Sequence, residues 1–120
     1  MVRHQQRLQP LLQRQQQFNK QLMNTLVLKA EVVQIEPLRY TPAGIPLLSM
    51  VLRHVSEQVE AGMKRKVECE VNAVTLGDLA LKGLKLGSHI LATGFLAKRS
   101  LKSTQLVMHI NHIELDILKD

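Results

Sequence analysis

The sequence predicts an all-β domain, a five-stranded antiparallel barrel with one short helix between the third and fourth strands. Three observations carry this. From Thr25 onward the apolar residues recur mostly at every second position, the period of a half-buried strand. That alternation gives way once, over residues 76–85, to spacings of three and four. The last strand-like run also changes phase in its middle, as a strand does when it bends to close a small barrel.

The first strand covers about residues 26–35, where Leu26, Leu28, Ala30 and Val32 share a face. Pro37 and Pro42-Ala43-Gly44 then bracket a loop that carries Arg39 and Tyr40. A second strand begins at Ile45. Leu48, Met50, Leu52 and His54 take one parity and Ser49, Val51 and Arg53 the other, which sends an arginine to the outer face. Residues 56–62 are polar and end in Ala61-Gly62, and are expected to form a connection. In the third strand, about residues 63–74, Val67, Cys69 and Val71 are expected to point inward against Lys66, Glu68, Glu70 and Asn72.

Leu76, Leu79, Ala80, Gly83 and Leu84 follow the helical period, with Thr75 as N-cap, Asp78 at the third helical position and Gly87 closing the segment. Strands four and five, residues 89–97 and 105–115, flank the loop 98–103, which holds three cations and no acid. In strand five Leu106, Met108 and Ile110 share one parity, but Ile113, Leu115 and Ile117 share the other. One inserted residue near Asn111 restores a continuous inward face. Five strands in this order, with a helix after the third, are the order of an OB-fold, whose exposed face on strands two and three and whose 1-2 and 4-5 loops bind nucleic-acid strands or sugars.

Length and charge agree with one such module. The chain has 120 residues, 45% of them hydrophobic, and a formal charge of +6. Residues 1–22 account for +4 of this through Arg3, Arg7, Arg14 and Lys20, contain eight glutamines, and are interrupted by Pro10. They are expected to form a tail outside the core, leaving an OB domain over residues 23–120. No run reaches membrane-spanning length or resembles a secretory signal, and a single cysteine, Cys69, fits a reducing compartment, so a cytoplasmic protein is expected.

Catalysis and metal chemistry find little support. No nucleophile sits beside a base, and Gly77 and Gly83 lack the lysine pattern of a phosphate-binding loop. Cys69 lies between two acids, Glu68 and Glu70, a setting that does not favour a nucleophilic thiolate. His109 and His112 would both face outward past the expected bulge, but no acid or cysteine at ligand spacing completes a site. No enzyme activity, cofactor or metal is expected. His54 is read as a hydrogen-bonded core histidine, His89 as solvated, and Phe95, between Gly94 and Leu96, as a core residue.

Leu26-Val27-Leu28, Pro42-Ala43-Gly44-Ile45-Pro46, Val51-Leu52 with His54, Glu60-Ala61-Gly62, Gly87-Ser88, Gly94-Phe95-Leu96 and His112-Ile113-Glu114-Leu115 follow one another over Asn24 to Asp116. In this order and spacing they resemble the primosomal replication protein N (PriB) family. More broadly the chain is similar to bacterial single-stranded DNA-binding proteins, shortened and without their long acidic tail. The resemblance implies a homodimeric OB-fold that binds single-stranded DNA and partners the PriA helicase and other primosome components in restarting stalled forks. By position it implies DNA-binding roles for Arg39 and Tyr40 in the 1-2 loop, Arg53 on strand two, Lys64, Arg65 and Lys66 at the start of strand three, and Lys98, Arg99 and Lys102 in the 4-5 loop. One departure stands out: Met63 and Glu68 occupy positions where better-known members carry aromatics, and the chain has no Trp. Tyr40 is then the one strong stacking candidate, and binding is expected to lean on phosphate contacts.

Overall fold

The computed structural model describes residues 23–116. These residues form six strands: β1 (Leu26–Ile35), β2 (Arg39–Tyr40), β3 (Pro46–Glu60), β4 (Met63–Leu76), β5 (His89–Lys98) and β6 (Leu106–Leu115). Five of them close a barrel in the order β1-β3-β4-β6-β5 and back to β1, every pairing antiparallel except β4 with β6. The short β2 pairs with the start of β3. The expectation for residues 1–22 lies outside the described residues, as does Ile117.

Period-two patterning produces the core. Val32, Leu52, Ile90, Ala92 and Met108 are fully buried, and Leu48, Met50, Ala73 and Ile110 nearly so. Two irregularities let the flat ladder curl. In β1 the register jumps between Val32 and Gln34, so that its first half pairs with β5 and its second half with β3. In β6 the partner of Thr93 is His112 while that of Gly94 is Ile110, which leaves Asn111 as the inserted residue. The phase change in the sequence is therefore a bulge, and it turns His112 outward and Ile110 inward.

Two local expectations are corrected. Of residues 56–62 only Ala61-Gly62 is a connection: β3 and β4 form one long hairpin, in register from Leu47↔Leu76 to Glu60↔Met63. Both turn residues have positive φ, 54° and 76°, the geometry of a type I′ turn that matches strand twist. Residues 54–70 extend past the barrel as an arm exposed on both faces. Its polar composition reflects two wet faces rather than a loop. For the same reason Cys69, although on the inward parity, is exposed, because the barrel interior has ended where it pairs with His54.

The expected helix over 76–85 is only a 3-10 turn, Gly77–Leu81. Gly77 and Gly83 both have left-handed φ and leave too few residues between them for an α-helix. Thr75 cannot cap it, since Thr75 belongs to β4 and is buried at 1% exposure. The apolar spacing is nonetheless real. Ala80 is buried, and Leu79 and Leu84 pack on the core, so the turn plugs one end of the barrel.

Candidate nucleic-acid interface

The outer faces of β3, β4 and β6 form the floor of an open groove of about 440 Å³. Outward parity puts Ser49 and Val51, Asn72 and Val74, and Val107 and His109 there. These side chains are short apart from His109, so the sheet surface is depressed between its flanking loops. Arg39 lines it from β2 and Arg99 from the loop after β5, while Glu36 is the one acid among the lining residues.

Both flanking loops are internally tied. The Arg99 N–H donates to Gln105 O at 2.9 Å, the Ser103 N–H to Ser100 O at 3.2 Å, and the Gln105 N–H to Ser103 Oγ at 3.0 Å. Arg99 is thereby held at the groove, whereas the Lys98 ammonium folds back onto Leu101 O at 3.0 Å. In the other loop the Thr41 N–H donates to Ile45 O at 2.9 Å, and Thr41 Oγ1 accepts from the Ile45 N–H at 3.1 Å. Tyr40 stands beside Arg39, 61% exposed.

The nine residues singled out by resemblance thus divide into two groups. Arg39, Tyr40, Lys98, Arg99 and Lys102 gather at the groove and its flanking loops, and none of the four cations is ion-paired with a carboxylate among the described residues. Arg53, Lys64, Arg65 and Lys66 lie on the arm or at its root and are matched to acids of the same hairpin. Arg53 Nη2 meets Glu68 Oε2 at 2.9 Å, Lys66 Nζ meets Glu68 Oε1 at 3.3 Å, Arg65 meets Glu60 at 2.7 Å, and Lys64 meets Glu57 at 3.9 Å. Lys64, paired opposite Val59, is roughly 26 Å along the strand from Val51 on the groove floor. Cation count alone did not separate these groups, because three of the four pairs join a cation to a carboxylate on the facing strand, and only Lys66 with Glu68 lies within one strand.

Hydrogen bonds from Arg53 first, and then Lys66, hold the Glu68 carboxyl below its ordinary pKa, and the bond to Glu68 raises that of Arg53. A depressed carboxylate stabilises the arm at pH values above its unfolded pKa, and that contribution is lost as pH falls through the folded value. Being exposed, the pair contributes little to overall stability. Its effect is on charge: acidification releases Arg53. A carboxyl-carbon NMR titration should find Glu68 below the usual carboxylate midpoint, and Arg53→Ala should raise it. A midpoint indifferent to that substitution would contradict the pairing.

Two aromatic assignments change. Phe95 is not core but 39% exposed, because Ile90, Ala92 and Gly94 take the inward parity of β5. It stacks on His109, ring centroids 5.0 Å apart and planes 7° from parallel. The parity of Leu106, Met108 and Ile110 already placed His109 outward, but nothing in the order of residues tells which side chain of β5 lies beside it. His54 is hydrogen-bonded as expected, its Nδ1 within 2.7 Å of Lys29 O and its Nε2 within 2.7 Å of Ser56 Oγ, though only half-buried. Among the described residues no three His, Cys, Asp or Glu side chains come together as a metal-holding group. No helix among them is long and apolar enough to cross a membrane.

A family model described as another single-strand binding protein family matches residues 24–112. The replication restart protein PriB of Bordetella pertussis is 46% identical over 90 residues, 73% of this chain and 84% of that protein. The structure of PriB from Ralstonia solanacearum superposes with a TM-score of 0.70 at 37% identity, covering 78% of this chain and 97% of that one. The single-stranded DNA-binding protein of Thermus aquaticus superposes with a TM-score of 0.61 at 22% identity, over 77% of this chain and 49% of that one. At that identity the likeness is one of fold.

Proposed function

We propose, from the premise that this chain belongs to the PriB family of replication restart proteins, that it captures single-stranded DNA in the groove and assists a PriA helicase at stalled forks. It acts by binding and not by catalysis. The observation that carries this reading is the placement of Arg39 and Arg99 on the groove, with Lys98 and Lys102 beside Arg99, all without carboxylate partners among the described residues. A floor of small side chains between cationic loops suits a flexible strand whose phosphates run along the loops. Such contacts read charge rather than sequence, so the binding is non-specific. Residues 23–120 make up the functional domain in this reading, and the protein works in the cytoplasm.

The resemblance implies a homodimer, and the open edges support one. Among the described residues, 26–28 of β1 pair only with β5, and beyond His54, whose Nδ1 reaches Lys29 O on β1, the two strands of the arm pair only with each other. Unpaired edges of this kind are commonly covered by a second copy. A second reading, a protein-interaction adaptor whose DNA affinity is incidental, is favoured by one observation. The arm carries matched charges with exposed Val55, Val59 and Met63 among them, a surface better suited to a protein than to a polyanion.

Titration of a fluorescent single-stranded oligonucleotide across a salt series, with and without PriA, tests the reading. Affinity should fall linearly in log K against log salt, and duplex and single strand should differ in favour of the single strand. Tight, salt-insensitive binding to the helicase with negligible DNA binding would put the adaptor first. An RNA oligomer of matched sequence, binding more tightly than DNA, would move the polymer class instead.

A further inference from the structure

One row of outward side chains crosses four strands of the barrel. Ser49 on β3 is paired with Val74 on β4, Val74 with His109 on β6, and His109 with Phe95 on β5. The 5.0 Å between the Phe95 and His109 rings is close to the spacing of neighbouring strands, so the two rings stand up from the sheet with their faces turned along the row. Phe95 covers one face of the imidazole. β5 lies on one side of β6 and β4 on the other, so the imidazole face away from Phe95 is on the side of Val74, and His109 and Val74 both line the groove.

We propose that this free face of His109, backed by Phe95, is where a base of the bound single strand stacks; the proposal deepens the function above and rests on it. A base entering there would complete a three-layer stack of phenyl, imidazole and base. The small floor residues Ser49 and Val74 leave it room, and Arg39 and Arg99 line the same groove, where they can hold the flanking phosphates. The imidazole is also oriented in advance, by the sheet register and by the Phe95 ring, so little rotamer freedom is lost on binding. Tyr40 differs in both respects. It stands exposed on a two-residue strand with no ring stacked on it among the described residues. The ring pair thus supplies the stacking surface that the missing Trp and the arm residues Met63 and Glu68 do not.

The test uses the full chain with a thymidine oligonucleotide and an abasic oligonucleotide of the same length. His109→Leu keeps apolar bulk without a planar face, and His109→Phe restores the face. Affinity of His109→Leu for the thymidine strand should fall about tenfold or more with an unchanged salt slope, and His109→Phe should recover it. On the abasic strand, which has nothing to stack, wild type and His109→Leu should bind equally. Circular dichroism on each variant checks that the barrel is intact. Undiminished binding of the thymidine strand by His109→Leu, or an equal loss on both strands, would overturn the proposal while leaving the DNA-binding reading in place. If the wild-type chain bound neither strand, the underlying reading would fall, and the proposal with it.

Discussion

Replacing Lys98, Arg99 and Lys102 together with alanine should reduce the slope of log K against log salt by about two units for a single strand and weaken binding strongly. Each cation that contacts a phosphate releases about 0.7 condensed counterions from single-stranded DNA, and three contacts give the two units. Over a fourfold change in salt such contacts are worth roughly fifteenfold in affinity. Exposed loop substitutions usually shift stability by about 0.5 kcal/mol or less each, so lost binding could not be attributed to unfolding. Tyr40→Ala should cost affinity with little change in slope. Removing a neutral pair from the arm, Arg65→Ala with Glu60→Ala, should leave the slope as it was, since those charges already answer each other at 2.7 Å. A triple variant with wild-type slope and affinity would reject the loop as the DNA site and favour the adaptor.

Gly94→Ala should be the most damaging single substitution for the fold. A Cβ at Gly94 would overlap the His109 carbonyl oxygen and lie 2.8 Å from His109 C and 2.9 Å from Ile110 Cα. All of these are backbone atoms, at the point where β6 bulges against β5, so no side-chain rotation relieves the overlap. The expected loss is about 3 kcal/mol or more. For a domain of this size that lowers Tm by roughly 12–24 °C. Gly62→Ala is the control: its φ is +76°, but its Cβ would meet nothing within 4 Å, so the cost is conformational and nearer 1 kcal/mol. Thermal unfolding of the two variants decides, and equal losses would show that the close approach of β5 and β6 is not needed. The same contact positions the ring pair, because Gly94 precedes Phe95 and the oxygen it admits belongs to His109.

The barrel was legible in the sequence because its inner and outer faces differ in polarity. Alternation marked the side that met the core from Leu26 through Val32, Leu48 through Leu52 and Ile90 through Ala92. Even the bulge at Asn111 could be read, since a shift of one residue moves every apolar side chain to the other face. The cationic loop at Lys98, Arg99 and Lys102 was equally plain, because a run of like charge needs no tertiary context to be seen.

What the sequence could not determine depended on contacts between residues far apart in the chain. Residues 56–60 looked like a loop because an arm with two wet faces has no polarity period, and only pairing with residues 63–67 makes them a strand. The helical spacing at 76–84 described a plug against the core, and left-handed glycines at 77 and 83 cut it to a single 3-10 turn. Cross-strand register set which cations face the groove unpaired and which are answered by Glu57, Glu60 and Glu68. It also brought Phe95 beside His109, fourteen positions away in the chain, and turned a supposed core residue and an unassigned histidine into one stacked surface on the groove. Periodicity records only whether a residue faces water or core, and which neighbour it meets there is decided by how the strands align when the barrel closes.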